Sequence, residues 1–388
     1  MSYDVIVVGA GLVGASFARA ARGLSIALVA PAQRAPTPAH APGGFDARVY
    51  ALSPGNAEFL RELKVWQGVA QERLTPVHAM RVFGDDGRSL LEFDAYRAGV
   101  DALAWIVEDG VLQGALWRAL EARDGLEVLA PAQCERLELS TEHATVHLRD
   151  GRSVQGKLVV GSDGARSFVR EGAGLGVTER LYGQTAVVAN FACERPHHNV
   201  ALQWFQGGPV LALLPLAGNH VSMVWSVAEA ESARLLALDA DALCREVEQA
   251  SRDVLGALTL VTPARGFALR RLGAGRLVAP RVALIGDAAH VVHPLAGQGA
   301  NLGFQDARTL ARVLAAREPV RDPGDLRLLR RYARARAEGV LSMDAAVHGL
   351  YCLFSAQGRA VSVLRNAGLN LTDRVPVLKN ILMRQAMG

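Results

Sequence analysis

Two aspartates stand in glycine-rich surroundings far apart in the chain. Asp163 lies in "VVGSDGARSFVR" and Asp287 in "GDAAHVVHPLAGQGANLGFQDA". The second stretch follows its acid with small residues, then His290, His293 and Pro294, then Gly297, Gln298 and Gly299. Glycine and proline are poor in helix interiors, and glycine weakens a strand. One acid beside several bare backbone amides is a pattern that neither a soluble helix nor a sheet strand calls for. A third stretch, "VIVVGAGLVGAS", carries Gly9-x-Gly11-x-x-Gly14. In this pattern the first glycine permits a tight turn and the second lets the backbone reach a pyrophosphate. The third allows close helix–strand packing, with the helix N-terminus facing the phosphates. The motif follows an apolar strand and precedes a helix, the context that dinucleotide binding requires.

One expected partner is missing. The acid that would meet the adenosine ribose should lie about 20 residues on, where the chain has Ala30 and Pro31. Gln33 or a backbone group is the available substitute. His290 and His293 are spaced H-x-x-H, but no third ligand follows at a suitable interval, and no metal is expected. The cysteines, Cys134, Cys193, Cys244 and Cys352, form no C-x-x-C, which fits reduced thiols in a cytosol.

The elements that must position these residues are legible from periodicity. Residues 4–8 read as a buried strand, 15–24 as a helix and 25–30 as a second strand, one βαβ unit. "PAQRAPTPAHAPGGFDAR" reads as a loop. "SPGNAEFLRELKVW" reads as a helix with Ser53 as N-cap and Pro54 in the first turn. "AMRVFGDDGRSLLEF" alternates like a hairpin, and Leu112, Leu116 and Leu120 fall at helix spacing. Residues 183–227 hold strand-like runs with no helix between them, which predicts an antiparallel sheet. "RVALIGDAAH" returns to a buried strand, and the chain from about 300 reads as helical.

The chain has 388 residues, half of them hydrophobic and 21% charged. That is enough for two domains and argues against disorder. No apolar run reaches the roughly 18 residues of a membrane span, and "MSYD" shows no signal-peptide pattern. The net charge of +4 favours anionic partners weakly; no nucleic-acid motif is present. Cytoplasmic placement is expected. Arg327, Arg330, Arg331 and Arg334 make a basic helical stripe, read as a solvated face.

The order of the three signatures, with Arg170 after the middle one, resembles the single-component flavoprotein aromatic hydroxylases, with the fold of p-hydroxybenzoate hydroxylase. Within that group, "DARVYALSPGNAEFL", "LQWF…GPVLALLPL…VSMVWS", "HPLAGQGANLGFQD" and "LRNAGLNL…LMRQAMG" resemble the ubiquinone-biosynthesis hydroxylases, across essentially the whole chain. The resemblance implies an α/β fold (α+β overall): a Rossmann-like FAD-binding domain, an inserted antiparallel-sheet substrate domain and a helical C-terminus. The expected division is 1–75, 100–180 and 270–340 for the FAD-binding domain, 76–99 and 181–269 for the substrate domain, and 341–388 for the C-terminal segment.

It also implies roles for residues. Asp287, after Gly286, would hold a ribityl hydroxyl of FAD, Arg48 would meet the flavin side, and Gln113 would be a further contact. Asp163 would serve the pyrophosphate and the NADPH or NADH encounter, with Arg166 and Arg170 attracting phosphates. Amides from Gly297 to Asn301, including Gln298, Gly299 and Ala300, would stabilise negative charge on the reduced ring at a helix N-terminus. His290, His293 and Pro294 would lie at the flavin–substrate junction. The sheet around 201–227 would roof the flavin, with Trp204, Phe205, Leu214, Pro215 and Trp225 as apolar walls.

The implied activity is an NAD(P)H- and O₂-dependent monooxygenase. It would hydroxylate the ring of a polyprenylated phenol in ubiquinone biosynthesis through a flavin C4a-hydroperoxide. Contact with the inner membrane or with partners in a biosynthetic complex follows from a lipid-tailed substrate; the oligomeric state stays open. Two alternatives remain: a flavin-dependent hydroxylase of a small aromatic, and a non-catalytic FAD-binding subunit, motivated by Ala30. A halogenase is disfavoured because no W-x-W-x-I-P motif occurs.

Overall fold

The computed structural model describes residues 2–32, 44–86, 88–292 and 298–355. The first sheet is built on the apolar runs. Ser2–Val8 lies between Ser153–Gly161 and Ile26–Val29, parallel to both. Val282–Leu284 adds in parallel beyond Ser153–Gly161, and Leu126–Leu129 beyond Ile26–Val29. Strands covered on both faces need continuous apolar sequence; Ile26–Val29, Val282–Leu284 and the Val5–Val8 part of the first strand have it, while Leu126–Leu129 at the edge is partly exposed. Val5 and Val7 pack with Phe17, Leu112, Leu116, Phe304 and Leu310 from the helices Leu12–Ala20, Asp109–Glu121 and Gln298–Ala315. Ile6 and Val8 pack on the other side with Val146, Val159 and Val169.

This arrangement brings the three signatures together. Parallel strands all end at one edge of a sheet, where open α/β folds place their ligands. The glycine turn follows Val8, Ser162 and Asp163 follow Gly161, and Gly286 and Asp287 follow Leu284 within three residues.

Among the described residues the second sheet has nine strands. Val177–Cys193 pairs with Arg265–Ala274 on one side and His220–Ala228 on the other. Val210–Leu216, Val200–Phe205 and the hairpin Ala79–Phe83/Leu90–Asp94 follow in order. Pairing is antiparallel as expected, save that Val200–Phe205 runs parallel to Ala79–Phe83. Helices Glu229–Leu236 and Ala240–Ala250 cover its outer face through Leu235, Leu243 and Val247.

Three boundaries differ from those drawn from sequence. Val177–Cys193 enters the second sheet before residue 181. Arg265–Ala274 continues past 270 in that sheet, and His290–Val291 pairs with it. Helix Leu326–Ser355 runs unbroken across 340/341. Long-range pairing sets these limits, and periodicity along the chain does not report it. Ser53 sits at the N-cap position, but its hydroxyl makes no cap bond; it accepts instead from Asn56 Nδ2 at 3.0 Å. Among the described residues no helix is long and apolar enough to cross a membrane.

Candidate active site

A cavity of about 1040 Å³ lies between the carboxyl edge of the first sheet and the inner face of the second. That is the upper end of ordinary ligand pockets. Its floor carries the glycine turn. Gly9 has φ of +100°, and a Cβ there would collide with the Ser162 and Asp163 backbone. A Cβ on Gly14 would collide with the Gly9 carbonyl and Ser162 Oγ. Ser162 Oγ donates to the Val8 and Gly9 carbonyls at 2.9 and 2.8 Å, tying the turn to the neighbouring strand. Gly11 is different. It lines the cavity, and a Cβ on it would meet nothing within 4 Å. Its carbonyl accepts from Ala15 N at 2.9 Å, and the space left by its missing side chain fits a group that approaches from the cavity.

The two motif aspartates behave differently. Asp163 Oδ1 accepts from Ser167 Oγ at 2.5 Å and Oδ2 from Val169 N at 3.1 Å. Burial raises its pKa, against those bonds. Asp287 makes no side-chain hydrogen bond among the described residues. Its surface is open, but open to the cavity, whose walls surround it. Desolvation pushes its pKa up, while the positive charges of Arg48 and His290 pull it down.

Arg48 lines the cavity and lies 5.2 Å over the Tyr50 ring. Its loop is held from three sides. Asp46 Oδ2 accepts from Gly110 N at 2.7 Å, and the Asp46 carbonyl accepts from Asn190 Nδ2 at 2.8 Å. Asp46 N donates to Glu108 at 2.6 Å, and Glu108 in turn holds Arg73 by two bonds of 2.7 Å. Gln113 also lines the cavity; its Nε2 donates to the Ala10 carbonyl at 2.7 Å, beside the glycine turn.

Gly299, Ala300 and Asn301, at the start of helix Gln298–Ala315, line the cavity. The Asn301 side chain is buried: Nδ2 donates to the Ala51 carbonyl at 2.8 Å, and Oδ1 accepts from Ser53 N and Asn56 Nδ2. That locks the helix start to the strand after Arg48. His293, Pro294 and Gly297 lie outside the described residues, as does the side chain of Gln298. So does Gln33. The backbone of Ala30 itself is engaged, its N–H with Leu129 and its carbonyl with Ala132 N.

Two expectations about charged residues are corrected. Arg170 is 3% exposed and donates to the Ala288 and Ala165 carbonyls. It braces the two motif turns and is not placed to attract phosphates; Arg166 does line the cavity. His290 is also buried, 2.7 Å from Asp306. Asp306 additionally holds Arg336 Nε at 2.6 Å and Gly286 N at 2.9 Å. Burial disfavours the His290 charge, but Asp306 outweighs it and the pKa stands above the ordinary imidazole value. His290 therefore stiffens the Asp287 turn from behind. Asp306, Arg336, Asp46, Asn190 and Glu108 were not foreseen. Asp306 sits within the quoted Gly-rich stretch, so a second acid there was the available signal.

The roof corrects the expected apolar walls. Period-2 alternation sends Leu214 to the cavity with Val210 and Ala212, and sends Leu211 and Leu213 to the outer core. Trp204 and Trp225 fall on that outer face. Trp204 stacks on Phe83 at 5.2 Å, and both tryptophans pack with Leu235 and Val247. Phe205 packs with Val82 and Leu91, and Pro215 pairs with Val221 of the outer core. None of these four is a cavity wall. Their neighbours are: Ala201, Gln203, Ser222, Val224 and Ser226. Large apolar residues filled the layer that holds helices, and small ones left room for a ligand.

A family model described as "FAD binding domain" matches residues 2–343. The chain is 36% identical over 386 residues to ubiquinone hydroxylase UbiL of Rhodospirillum rubrum, covering 99% of this chain and 89% of that one. It is 32% identical to the 3-demethoxyubiquinol 3-hydroxylase of Escherichia coli, covering 99% and 98%. The structure of PqsL from Pseudomonas aeruginosa superposes with a TM-score of 0.80 at 24% identity, covering 95% and 99%, a likeness of fold. FAD is the cofactor that the floor accommodates, and the chain belongs to the ubiquinone-biosynthesis branch of the FAD-dependent aromatic hydroxylases.

Proposed function

We propose that this enzyme hydroxylates the aromatic ring of a polyprenylated phenol on the way to ubiquinone, with NADPH or NADH as reductant and O₂ as oxygen donor. The observation that carries the reading is the two-sided cavity, with bare amides and a carboxylate unpaired among the described residues below and a mostly small and apolar roof above. In this reading the parallel-sheet layer is the FAD-binding domain and the nine-stranded sheet serves the substrate. When bound, FAD supplies the reduction of O₂ and the transfer of one oxygen atom.

The protein's own contributions follow from its groups. Gly11 and the helix start at Leu12 receive phosphates. Asp287 accepts a hydroxyl hydrogen bond, and Arg48 balances its charge. The amides of Gly299 to Asn301 stabilise negative charge on a reduced ring without moving. Met80, Phe93, Leu103 and Leu214, all cavity walls, take the apolar body of the substrate and keep water out. Catalytic roles for His293, Pro294, Gly297 and Gln298 are part of this proposal; the first three, and the side chain of Gln298, lie outside the described residues. A lipid-tailed substrate brings contact with the inner membrane, or with partners of a biosynthetic complex, into the same reading. Arg327, Arg330 and Arg334 are exposed on one helix and offer a charged face.

The test uses the purified chain. A flavin spectrum, NAD(P)H oxidation stimulated by a prenylated phenol, and a product heavier by one oxygen in mass spectrometry are expected. Flavin binding without stimulated oxidation or product would favour a non-catalytic subunit and sink the proposal.

A further inference from the structure

The roof face is ordered into rows by strand register. One row runs Met80, Ala201, Leu214, Ser222; the next runs Val82, Gln203, Ala212, Val224. Gln203 is thus surrounded on its own face by apolar side chains: Val82 and Ala212 across the strands, Ala201 and Phe205 along its own. It is 6% exposed, and its amide has no hydrogen-bond partner among the described residues. It lines the cavity. Its amide, unlike Ser222 Oγ, is open to the cavity, so a ligand that fills the cavity must replace the hydrogen bonds water would make there or leave the amide unpaired at a cost.

Arg270, on strand Arg265–Ala274, also lines the cavity and pairs with Glu179 at 3.1 Å; two polar residues nearer Gln203 differ from each other. Ser222 Oγ is fully enclosed and has no partner among the described residues, so no ligand atom reaches it in this arrangement. Ser226 lies beyond Val224, across from Val210 and Ala186. A serine offers one hydroxyl on a short side chain, whereas Gln203 offers a separate carbonyl acceptor and NH₂ donor on a longer one. A phenolic oxygen can both donate and accept, and an amide answers it in either sense.

We infer that Gln203 is a specificity-determining residue that hydrogen-bonds an oxygen substituent on the substrate's aromatic ring. This rests on the phenol reading above. The bond orients the ring against a stretch of roof whose neighbouring side chains, Val82, Ala201, Ala212 and Val224, are apolar, where shape and burial alone would leave it free to turn. A site built to pair a substrate hydroxyl rejects analogues that lack it.

The experiment measures dissociation constants from the perturbation of flavin absorbance in the oxidised holoenzyme. The probes are a phenol bearing one short isoprenoid chain and the same molecule without its hydroxyl. The wild-type protein is expected to prefer the phenol by about tenfold or more, the scale of leaving a buried polar group unpaired. Gln203→Leu should bind the two probes equally, while Ser226→Ala keeps the preference. Flavin content of each variant reports folding; if Gln203→Leu does not fold, Gln203→Asn, with a shorter reach, should show a reduced preference. An undiminished preference in the Gln203 variants overturns the inference, as does a wild-type protein that binds both probes alike. These outcomes are separable from failure of the phenol reading, which shows as absence of hydroxylated product from the wild-type enzyme itself.

Discussion

Asp163 and Asp287 follow neighbouring parallel strands of one sheet, and both are desolvated, yet the structure uses them in opposite ways. Asp163 turns inward: both oxygens are engaged, one with Ser167 and one with the amide of Val169. It holds the start of the helix Phe168–Gly172 and shapes the turn that lines the cavity. Asp287 faces the cavity and has no hydrogen-bond partner among the described residues. Its backbone is braced instead by Asp306, which grips Gly286 N, His290 and Arg336. A carboxylate whose bonds are satisfied within the fold is architecture, and one that is desolvated and unsatisfied is held ready for a ligand. The same two-letter motif, read forwards and backwards, gives one of each.

The largest effect that sharpens this comparison should come from behind Asp287. Asp306→Ala leaves His290 and Arg336 buried without their anion, and breaking such a network costs about 3–5 kcal/mol. Chemical denaturation of the apoprotein measures it; a loss below about 1 kcal/mol would show the network is not what fixes the turn. Next in size, Asp163→Ala should lower apoprotein stability by about 1–3 kcal/mol, since an amide loses its acceptor. Asp287→Ala should do the reverse. Removing an unpaired desolvated carboxylate leaves stability equal or higher, while FAD binding weakens roughly 10- to 100-fold with the loss of a charged hydrogen-bond acceptor. Equal stability losses in the two variants, with FAD affinity unchanged in Asp287→Ala, would break the comparison outright.

The smallest effect is a pH slope. His290 has a raised pKa, so its contribution is complete below its ordinary value of 6.5 and is lost as pH rises through the folded value. Asp306 has a lowered one, so its contribution is present above 3.8 and is lost as pH falls through the folded value. Apoprotein stability should therefore decline on the alkaline side more steeply in the wild type than in His290→Gln. Parallel pH profiles for the two proteins would remove His290 from the network.

Much of the floor was legible in the sequence, because glycine spacing and apolar runs are local signals with a fixed geometric meaning. Gly9, Gly11 and Gly14 stand in the turn that their spacing demanded, and Leu112, Leu116 and Leu120 face the core as their period required. The roof was legible only as a sheet. Its strands were recognisable, but their faces were not. Trp204 beside Gln203, and Trp225 between Val224 and Ser226, offer no local sign of which neighbour points to the ligand. A one-residue change in register reverses every side chain, and hydrophobic bulk misleads when the far face is also buried. Asp306 was likewise hidden, since its partners His290 and Arg336 come from other elements.

By itself the sequence determined which segments are strands and helices, that a dinucleotide-type turn opens the chain, and that an acid and bare amides recur near residue 287. Those follow from backbone preferences and periodicities that act over a few residues. Only the tertiary structure decided that the Asp163 carboxylate closes on its own helix and that Asp287 stays open to the cavity. It likewise sent the tryptophans away from the ligand and Gln203 toward it. Each of those outcomes depends on which strand lies next to which, and in what register, and that is settled by the packing of two sheets and their helices rather than by any residue's own preference.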